Sequence, residues 1–404
     1  MRSLESLGRP EACKSGLARK LGGLVVALTL LLVGPWSAQI ASGKKAFSHL
    51  GVWLRPEASE TSVVAQLDDL AEAGFTDVYV ETFYHGFVIY PSRYVPQRPE
   101  MKGKDYLELY VREARKRGLR VHAWIETFYW EVDTIAYPQF PRTPLLDKHP
   151  EWRLLLRDGS PTSKAESAHN FANPAHPEVR RLVANMIEEI VHRYDVAGVN
   201  LDYIRYPDGE MDAGYDDYTR ALYKKKFGVD PVAIERLTTS AAWRRWVWFR
   251  EEQVLEMVRM ARERVKKAKP NVALSVAIFP SPESARYQST KFQNWREMVQ
   301  RGYLDEIVPM AYASSLAGVR EEVQTVLNAL PPMSDVKVLP ALALQKRTYD
   351  VYGGVAHPPI AEQARMVADL ELPGFSVFCY SWILDSDEGL GLLKPLLEQP
   401  PARP

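Results

Sequence analysis

The sequence predicts a (β/α)8 TIM barrel with long loops after the third and fourth strands. Short apolar segments alternate with longer amphipathic segments from residue 50 to near the C-terminus. Glycines such as Gly74 and Gly118 close helical segments just before the next strand begins. Regular alternation of strand and helix predicts a parallel sheet, and eight strand segments predict that the sheet closes into a barrel.

Eight segments have the length and composition of buried strands. They are LGVWLR (50–55), DVYVET (77–82), RVHAWIET (120–127), VAGVNLDYI (196–204), VALSVAIF (272–279), EIVPMAY (306–312), KVLPALALQ (337–345) and GFSVFCYSW (374–382). Two connections are much longer than the usual few residues, at 128–176 and 205–242. Both follow the C-terminal ends of strands, where barrel enzymes carry their active sites.

The N-terminus has the order of residues that is typical of an export signal. Basic residues precede the apolar run LGGLVVALTLLLVG, and three small residues, 41–43, follow it. The run is short for a membrane span. We expect residues 1–43 to be a signal peptide or an uncleaved signal anchor, 44–396 the barrel domain, and 397–404 a C-terminal tail. The protein is therefore expected in the periplasm, the cell envelope or the extracellular space, with membrane contact only through an uncleaved anchor.

Composition and motifs exclude several function classes. The 51 basic and 51 acidic side chains balance, so no nucleic-acid partner is predicted. Cys13 precedes the apolar run, which leaves Cys379 alone in the barrel and predicts no internal disulfide. Gly-x-Ser-x-Gly and His-Glu-x-x-His are both absent, so neither serine nor zinc hydrolysis is expected. We predict no cofactor and no metal, and the sequence does not define an oligomeric state.

The alternation within each strand predicts which side chains face the barrel axis. Helix-facing positions are the more uniformly aliphatic set, so Val199 and Leu201 face outward and Asp202 faces the axis. The same rule places eight inward residues at the strand ends. They are Arg55, Glu81, Glu126, Asp202, Phe279, Tyr312, Gln345 and Trp382. Three carboxylates on consecutive strands thus meet aromatic and amide groups at one end of the barrel.

This set of side chains favours carbohydrate chemistry. Sugar faces stack on aromatic rings, and two acids can hydrolyse a glycosidic bond. Asp202, Glu126 and Glu81 are the catalytic candidates. Adjacent strands lie ~4.8 Å apart, which suits Glu126 and Asp202 as a retaining pair, whereas Glu81 and Asp202 suit an inverting pair; both alternatives stay open. Expected substrate-binding residues are Arg55, Trp124, Tyr203, Arg205, Tyr206, Tyr312, Gln345 and Trp382, with Tyr129, Trp130 and Trp152 as outer sugar platforms.

Structural roles compete with several of these expectations. Asp202 has an alternative role as an acid paired with Arg205 or Arg55 to hold the barrel rim. Trp124 and Trp382 have an alternative role as core-filling aromatics. A non-catalytic glycan-binding barrel is the alternative function, since it keeps the aromatic cleft without the chemistry.

Several stretches together resemble the glycosyl hydrolase-like 10 family of exported bacterial barrel proteins. They are VHAWIET, NFANPAHPEVRRLVANMIEEIVHRYDVAGVNLDYIRYP, WRRW and GYLDEIVPMAY, and the resemblance extends over residues 48–385. It implies a glycosidase-like protein of the cell envelope, some relatives of which act on peptidoglycan glycan strands stripped of their peptides. It also implies that Asp202 is the leading catalytic residue. Similar proteins often carry asparagine where this chain has Glu126.

Overall fold

The structure is a computed structural model that describes residues 47–133, 137–161, 166, 169–209, 211–281, 291–344 and 357–397. The predicted export signal, Gln345 and most of the predicted tail lie outside these residues. Within the described part of the chain, no helix combines the length and the apolar character needed to cross a bilayer.

Eight parallel strands form a closed barrel, as the sequence predicts. They are β1 His49–Leu54, β2 Asp77–Tyr84, β3 Arg120–Glu126, β4 Gly198–Asp202, β5 Ala273–Ile278, β6 Glu306–Ala311, β7 Ala341–Ala343 and β8 Gly374–Phe378. Each strand pairs with the next in parallel, and β8 pairs with β1 to close the sheet. Four short strands add to this sheet or to the third loop: Phe87–Val88, Lys337–Val338, and the antiparallel pair Tyr129–Val132 and His169–Phe171.

Helices cover the outside of the barrel. They are α1 Glu60–Glu72, α2 Tyr106–Lys116, α3 Pro144–Lys148, α4 Pro177–Arg193, α5 Asp217–Phe227, α6 Ala241–Ala268, α7 Trp295–Gln300, α8 Leu316–Ala329, α9 Ile360–Asp369, α10 Tyr380–Leu384 and α11 Lys394–Leu397. Two of them show how local sequence starts a helix: the Ser240 hydroxyl accepts from the Trp243 N–H at the start of α6, and Pro177 occupies the first turn of α4.

Two predicted strands end differently. The segment predicted as one strand over 337–345 is split into Lys337–Val338 and β7, with Pro340 between them, because proline cannot donate to a ladder. The prediction that the last strand extends to residue 382 is wrong, since β8 ends at Phe378 and Tyr380 begins α10. Trp382 therefore reaches the barrel interior from a helix.

Side chains that point to the axis fill the barrel as a separate core. Trp53, Tyr79 and Trp124 pack together there, with the indole rings of Trp53 and Trp124 edge to face at 4.9 Å. Val199 and Leu201 belong instead to the larger core between the strands and the helices. The predicted inward and outward phase is thus confirmed for β1 to β4, and it brings the strand-end side chains to one mouth.

Candidate active site

Asp202 ends β4 at the barrel mouth and keeps part of its surface accessible. Its Oδ2 accepts a hydrogen bond from the Trp124 indole N–H at 3.1 Å, and its Oδ1 accepts one from the Tyr203 backbone N–H at 2.7 Å. Burial raises the pKa of Asp202, while these two donors and Arg205 oppose the rise. Asp202 is therefore an oriented, reachable carboxyl group.

Glu126 ends β3 and is the direct partner of Asp202 in the strand register. Its side chain is 1% exposed, and its Oε2 accepts a hydrogen bond from the His85 backbone N–H at 3.2 Å. Burial, and next the nearby charge of Glu81, raise the pKa of Glu126 well above its usual range. Glu126 is thus a carboxyl group that holds its proton beside a more accessible one.

Glu81 lies on β2 and is fully buried. The Arg55 Nε lies 3.4 Å from its Oε2, and the described residues offer its two oxygens no other ordinary donor. Burial raises the pKa of Glu81, and the charge of Arg55 opposes the rise. Because two adjacent carboxyl groups resist a second negative charge, ionisation of one raises the pKa of the other, and the ion pair with Arg55 favours Glu81 as the ionised member.

The backbone N–H groups of His85 and Tyr203 point to the carboxyl groups because both residues have a left-handed conformation. His85 has φ 50° and Tyr203 has φ 46°, a region that costs a non-glycine residue about 1 kcal/mol or more. In each case the N–H of that same residue bonds to the carboxylate, Glu126 or Asp202. The adjacent Gly86 also has positive φ, and a Cβ there would lie 2.4 Å from the Thr143 hydroxyl. The main chain therefore fixes both acids.

A ring of partly exposed side chains surrounds Asp202. Over half of the Arg55 side chain is exposed, and Tyr203 and Tyr312 are partly exposed. The Tyr312 ring lies 5.9 Å from that of Phe378, which in turn lies 5.4 Å from that of Trp382. These residues form the accessible mouth, with cationic, phenolic and apolar surface side by side.

Three of the expected substrate-binding residues lie elsewhere. Trp124 is 2% exposed beneath the mouth, where its indole orients Asp202. Tyr206 is fully buried and packs edge to face with Phe292. Arg205 is also buried, and Gln345 lies outside the described residues. The expectation that Tyr129, Trp130 and Trp152 form outer sugar platforms is wrong, because each is at most 7% exposed.

Arg205 pairs with an acid that sequence reasoning missed. Its two terminal nitrogens donate to Glu166 at 3.0 and 2.7 Å, and the Asp208 N–H donates to the same carboxylate. The guanidinium also lies 4.8 Å from the ring of Tyr203. Glu166 belongs to the loop after β3 and Arg205 to the loop after β4, so this pair joins the two long loops beside the site.

Two residues of the site were absent from the sequence prediction. His85 follows β2, and the glycine after it, Gly86, is the residue in the sequence that indicates a turn of the chain at this point. The predicted second strand ended at residue 82, three residues short of it. Glu166 had no local signal, because its partner is 39 residues away in the chain.

A separate cluster at the opposite end of the barrel has the composition of a metal site. Ligand atoms of His49, Asp77 and His122 lie within 4.8 Å of one another, and all three are buried. Asp77 already accepts from the Arg120 guanidinium at 2.6 Å and from the Thr76 hydroxyl at 2.7 Å. A cationic arginine on the same carboxylate opposes a metal ion, so the cluster is a buried hydrogen-bond network around the Asp77–Arg120 ion pair.

Sequence comparison decides the family. Residues 47–333 match the sequence profile described as glycosyl hydrolase-like 10. The chain belongs to the glycosyl hydrolase-like 10 family. Similar proteins in the curated record are the glycosyl hydrolase YngK of Bacillus subtilis, 24% identical over 75% of this chain and 61% of the relative, and the glycosyl hydrolase DigH of Escherichia coli, 24% identical over 64% and 59%. The chain thus spans about three fifths of the length of these relatives.

Solved structures share the fold of this glycosyl hydrolase-like 10 member. The PgaB (BpsB) glycoside hydrolase domain of Bordetella bronchiseptica is 13% identical with a TM-score of 0.64, covering 87% of this chain and 99% of that one. The catalytic domain of β-amylase from Paenibacillus polymyxa is 13% identical with a TM-score of 0.61, covering 86% and 97%. At such identities the likeness supports the barrel architecture alone.

Proposed function

We propose that this protein is a glycoside hydrolase that cleaves a bacterial cell-envelope or extracellular polysaccharide. The observation that carries the proposal is the pairing of Glu126 with Asp202 at the ends of adjacent strands. Their surroundings differ: Glu126 is almost fully buried and its pKa is raised well above the usual range, whereas Asp202 is partly exposed and doubly hydrogen-bonded. Two acids in unlike environments are the arrangement that divides acid and base roles in glycosidases.

The roles follow from protonation and access. Asp202 meets the sugar as the ionised group, because two N–H donors stabilise its charge and its surface is reachable. Glu126 keeps the proton and supplies it to the leaving oxygen. Glu81 acts through Glu126, since its negative charge, balanced by Arg55, disfavours ionisation of Glu126. The membership of the chain in a glycosyl hydrolase-like family supports the reaction class.

The strand register supports a retaining mechanism. Neighbouring strands lie about 4.8 Å apart, and retaining carboxyl pairs are separated by about 5 to 5.5 Å. An inverting pair needs about 6.5 to 9.5 Å to admit a water between acid and sugar. Glu126 and Asp202 are direct register partners, so Asp202 is proposed as the nucleophile and Glu126 as the acid and subsequent base.

Peptidoglycan glycan strands are the first polymer proposed for testing. Arg55 presents guanidinium donors at the mouth and is exposed over 57% of its side chain. Arginine suits carboxylates, which it binds through paired N–H groups. Glycan strands stripped of their peptides carry a free carboxylate on alternate sugars, and the predicted export signal would deliver the protein to them.

The test measures turnover and binding separately on a panel of envelope and extracellular glycans. Asp202→Asn and Glu126→Gln are expected to lower kcat by at least about 100-fold, the scale of one general acid or base, and to leave the dissociation constant for glycan nearly unchanged. The exposed Asp369→Asn is the matched control. Azide should restore turnover of Glu126→Gln, which lacks the acid/base, and give a glycosyl azide of retained configuration. With Asp202→Asn, which lacks the nucleophile, the glycosyl azide should have inverted configuration.

Two results contradict the proposal in different ways. Glycan binding with no turnover by the unsubstituted protein indicates the alternative, a non-catalytic glycan-binding barrel. Turnover that Asp202→Asn and Glu126→Gln leave unchanged places the chemistry at other residues.

A further inference from the structure

A surface formed by the end of α5 and the start of α6 has an unusual composition. It contains Lys224, Lys225 and Lys226 in the last turn of α5, and Arg244, Arg245 and Trp248 near the start of α6. All six side chains are exposed. We call these six residues the basic apolar surface. It belongs to the segment that follows β4 and lies outside the carboxyl cluster.

Exposed apolar side chains concentrate in the same part of the chain. Seven large hydrophobic residues are exposed among the described residues, and four of them fall within 217–248. These four are Tyr218, Val232, Leu237 and Trp248, the last exposed over 41% of its surface. The other three, Tyr94, Met333 and Leu384, are spread over distant segments. This segment therefore carries more of the exposed large apolar side chains than any other part of the described chain.

Contacts show that the cations and the aromatic rings form one patch. The Lys226 ammonium lies 5.1 Å from the centre of the Trp248 ring, and the Arg245 guanidinium lies 5.5 Å from that of Phe227. Arg244 donates to the carbonyl of Thr239 at 2.8 Å, which ties α6 to the loop carrying Leu237. The patch therefore extends from that loop across both helices.

The cations of this patch form no ion pairs with acids in the described part of the chain. Within the residues that the structure describes, no ion pair joins Lys224, Lys225, Lys226, Arg244 or Arg245 to an acid. Lysines in the last turn of α5 are favoured by the helix dipole, which accounts for them structurally. Arg244 donates to the carbonyls of the preceding loop, whereas Arg245 lies towards the positive end of the α6 dipole, which therefore does not account for it.

We propose that the basic apolar surface binds an anionic phospholipid surface. Lysine and arginine side chains are attracted to anionic headgroups by about 1 kcal/mol each, and tryptophan settles at the boundary between headgroups and acyl chains. The exposed Trp248 ring and the Leu237 side chain of the adjoining loop favour a lipid over a soluble polyanion, because they gain from apolar contact that a polyanion does not offer.

The position of the patch gives this binding a direction. A barrel helix runs back along the outside from the C-terminal end of the preceding strand, so the start of α6 lies on the side of the mouth. Binding through the basic apolar surface brings the mouth side of the barrel towards the lipid. The inference rests on the patch alone and does not depend on the proposed hydrolysis.

The experiment measures backbone hydrogen exchange of the full chain with vesicles, because a local readout is separate from any contribution of the N-terminal apolar run. Vesicles of mixed phosphatidylglycerol and phosphatidylcholine are expected to slow exchange over residues 224–248. Vesicles of phosphatidylcholine alone and soluble polyphosphate are expected to leave it unchanged. Lys226→Gln with Arg245→Gln should raise the lipid concentration for half-maximal protection about 25-fold, or fivefold per cation.

Matched variants separate this binding from a general effect of charge or apolar surface. Lys267→Gln removes an exposed cation from the other end of α6, roughly 30 Å away, and is expected to change nothing. Trp248→Ala should weaken protection, whereas Met333→Ala, at the most exposed apolar residue, should not. Near-UV circular dichroism verifies that each variant is folded.

Three outcomes overturn the proposal. The first is unchanged exchange over 224–248 in the presence of anionic vesicles. The second is equal protection by neutral vesicles or by polyphosphate, the latter indicating a polyanion site. The third is an equal response of the patch variants and their controls.

Discussion

Replacing Trp124 by phenylalanine tests whether the indole sets the charge of Asp202. The substitution keeps an aromatic ring in the barrel interior and removes the Nε1–H donor that lies 3.1 Å from Oδ2. A hydrogen bond to a charged group contributes about 1.5 to 3 kcal/mol. If that stabilisation is used when Asp202 acts in its ionised form, its loss corresponds to roughly a 10- to 150-fold lower kcat/KM.

The pH profile gives the sharper measurement. The Trp124 hydrogen bond lowers the pKa of Asp202 against the rise caused by burial, so its removal moves the pKa upwards. A nucleophile is active above its pKa, and the acidic limb of kcat/KM should therefore shift to higher pH in Trp124→Phe. The assay is hydrolysis of one glycan substrate across the acid range.

Trp53→Phe is the matched control. Trp53 lies in the same interior cluster and donates at the same distance, 3.1 Å, but to the neutral Ser376 hydroxyl. The Trp53→Phe variant should have a lower free energy of unfolding, and the acidic limb of its kcat/KM profile should stay at the same pH. A Trp124→Phe profile that only falls in height, with its acidic limb where the unsubstituted protein has it, would refute the reasoning.

The remaining predictions concern stability. Glu166→Gln should lower the free energy of unfolding by about 3 to 5 kcal/mol, because it leaves the buried Arg205 without its carboxylate partner. Adding Arg205→Met should recover most of this loss. If Glu166→Gln keeps the original stability and raises KM, Arg205 instead binds substrate. Burial lowers the pKa of His49 to about 3, so folded His49 stays neutral while unfolded histidine gains a proton below its pKa of about 6.5. Stability should therefore fall as pH falls from 6.5 towards 3, by up to about 1.4 kcal/mol per pH unit, and denaturant unfolding at several pH values should show a flatter dependence for His49→Gln. An equally steep dependence in that variant would assign the acid sensitivity to other groups, among them Asp77, whose lowered pKa acts in the same direction at lower pH.

Periodicity was enough to predict the barrel and the inward phase of the acids. Asp202 and Glu126 end alternating strands and Glu81 lies within one, and the aliphatic residues of these strands face the helices, so the direction of the acids follows from a period of two. The same rule failed at Trp382, because the alternating pattern continues through a segment that is helical from Tyr380 onwards. Short apolar runs do not distinguish a strand from a one-turn helix.

The alternation of residues along the strands did not predict the side-chain contacts of the long loops. Arg205 was predicted to meet Asp202 or substrate, and it instead pairs with Glu166 in another loop. The conformation of Tyr203 redirects the chain just after β4, so Tyr206 turns into the core. The bulky rings of Trp130 and Trp152 fill the space beneath the third loop, since a long loop needs apolar residues of its own to pack. Such pairings depend on three-dimensional proximity that a single sequence does not reveal.

The backbone donors at His85 and Tyr203 have a consequence for engineering. The groups that hold the two acids belong to the peptide chain, so the carboxyl geometry depends on the left-handed turn at each position. The Tyr203 side chain is partly exposed, whereas that of His85 is buried against Tyr129 and Phe140. Asparagine and glycine, which tolerate that turn, are the replacements expected to preserve the carboxyl geometry, whereas valine or isoleucine would disturb it. Libraries that reshape the mouth for a new glycan can therefore replace Tyr203 by asparagine or glycine while Asp202 keeps its backbone donor.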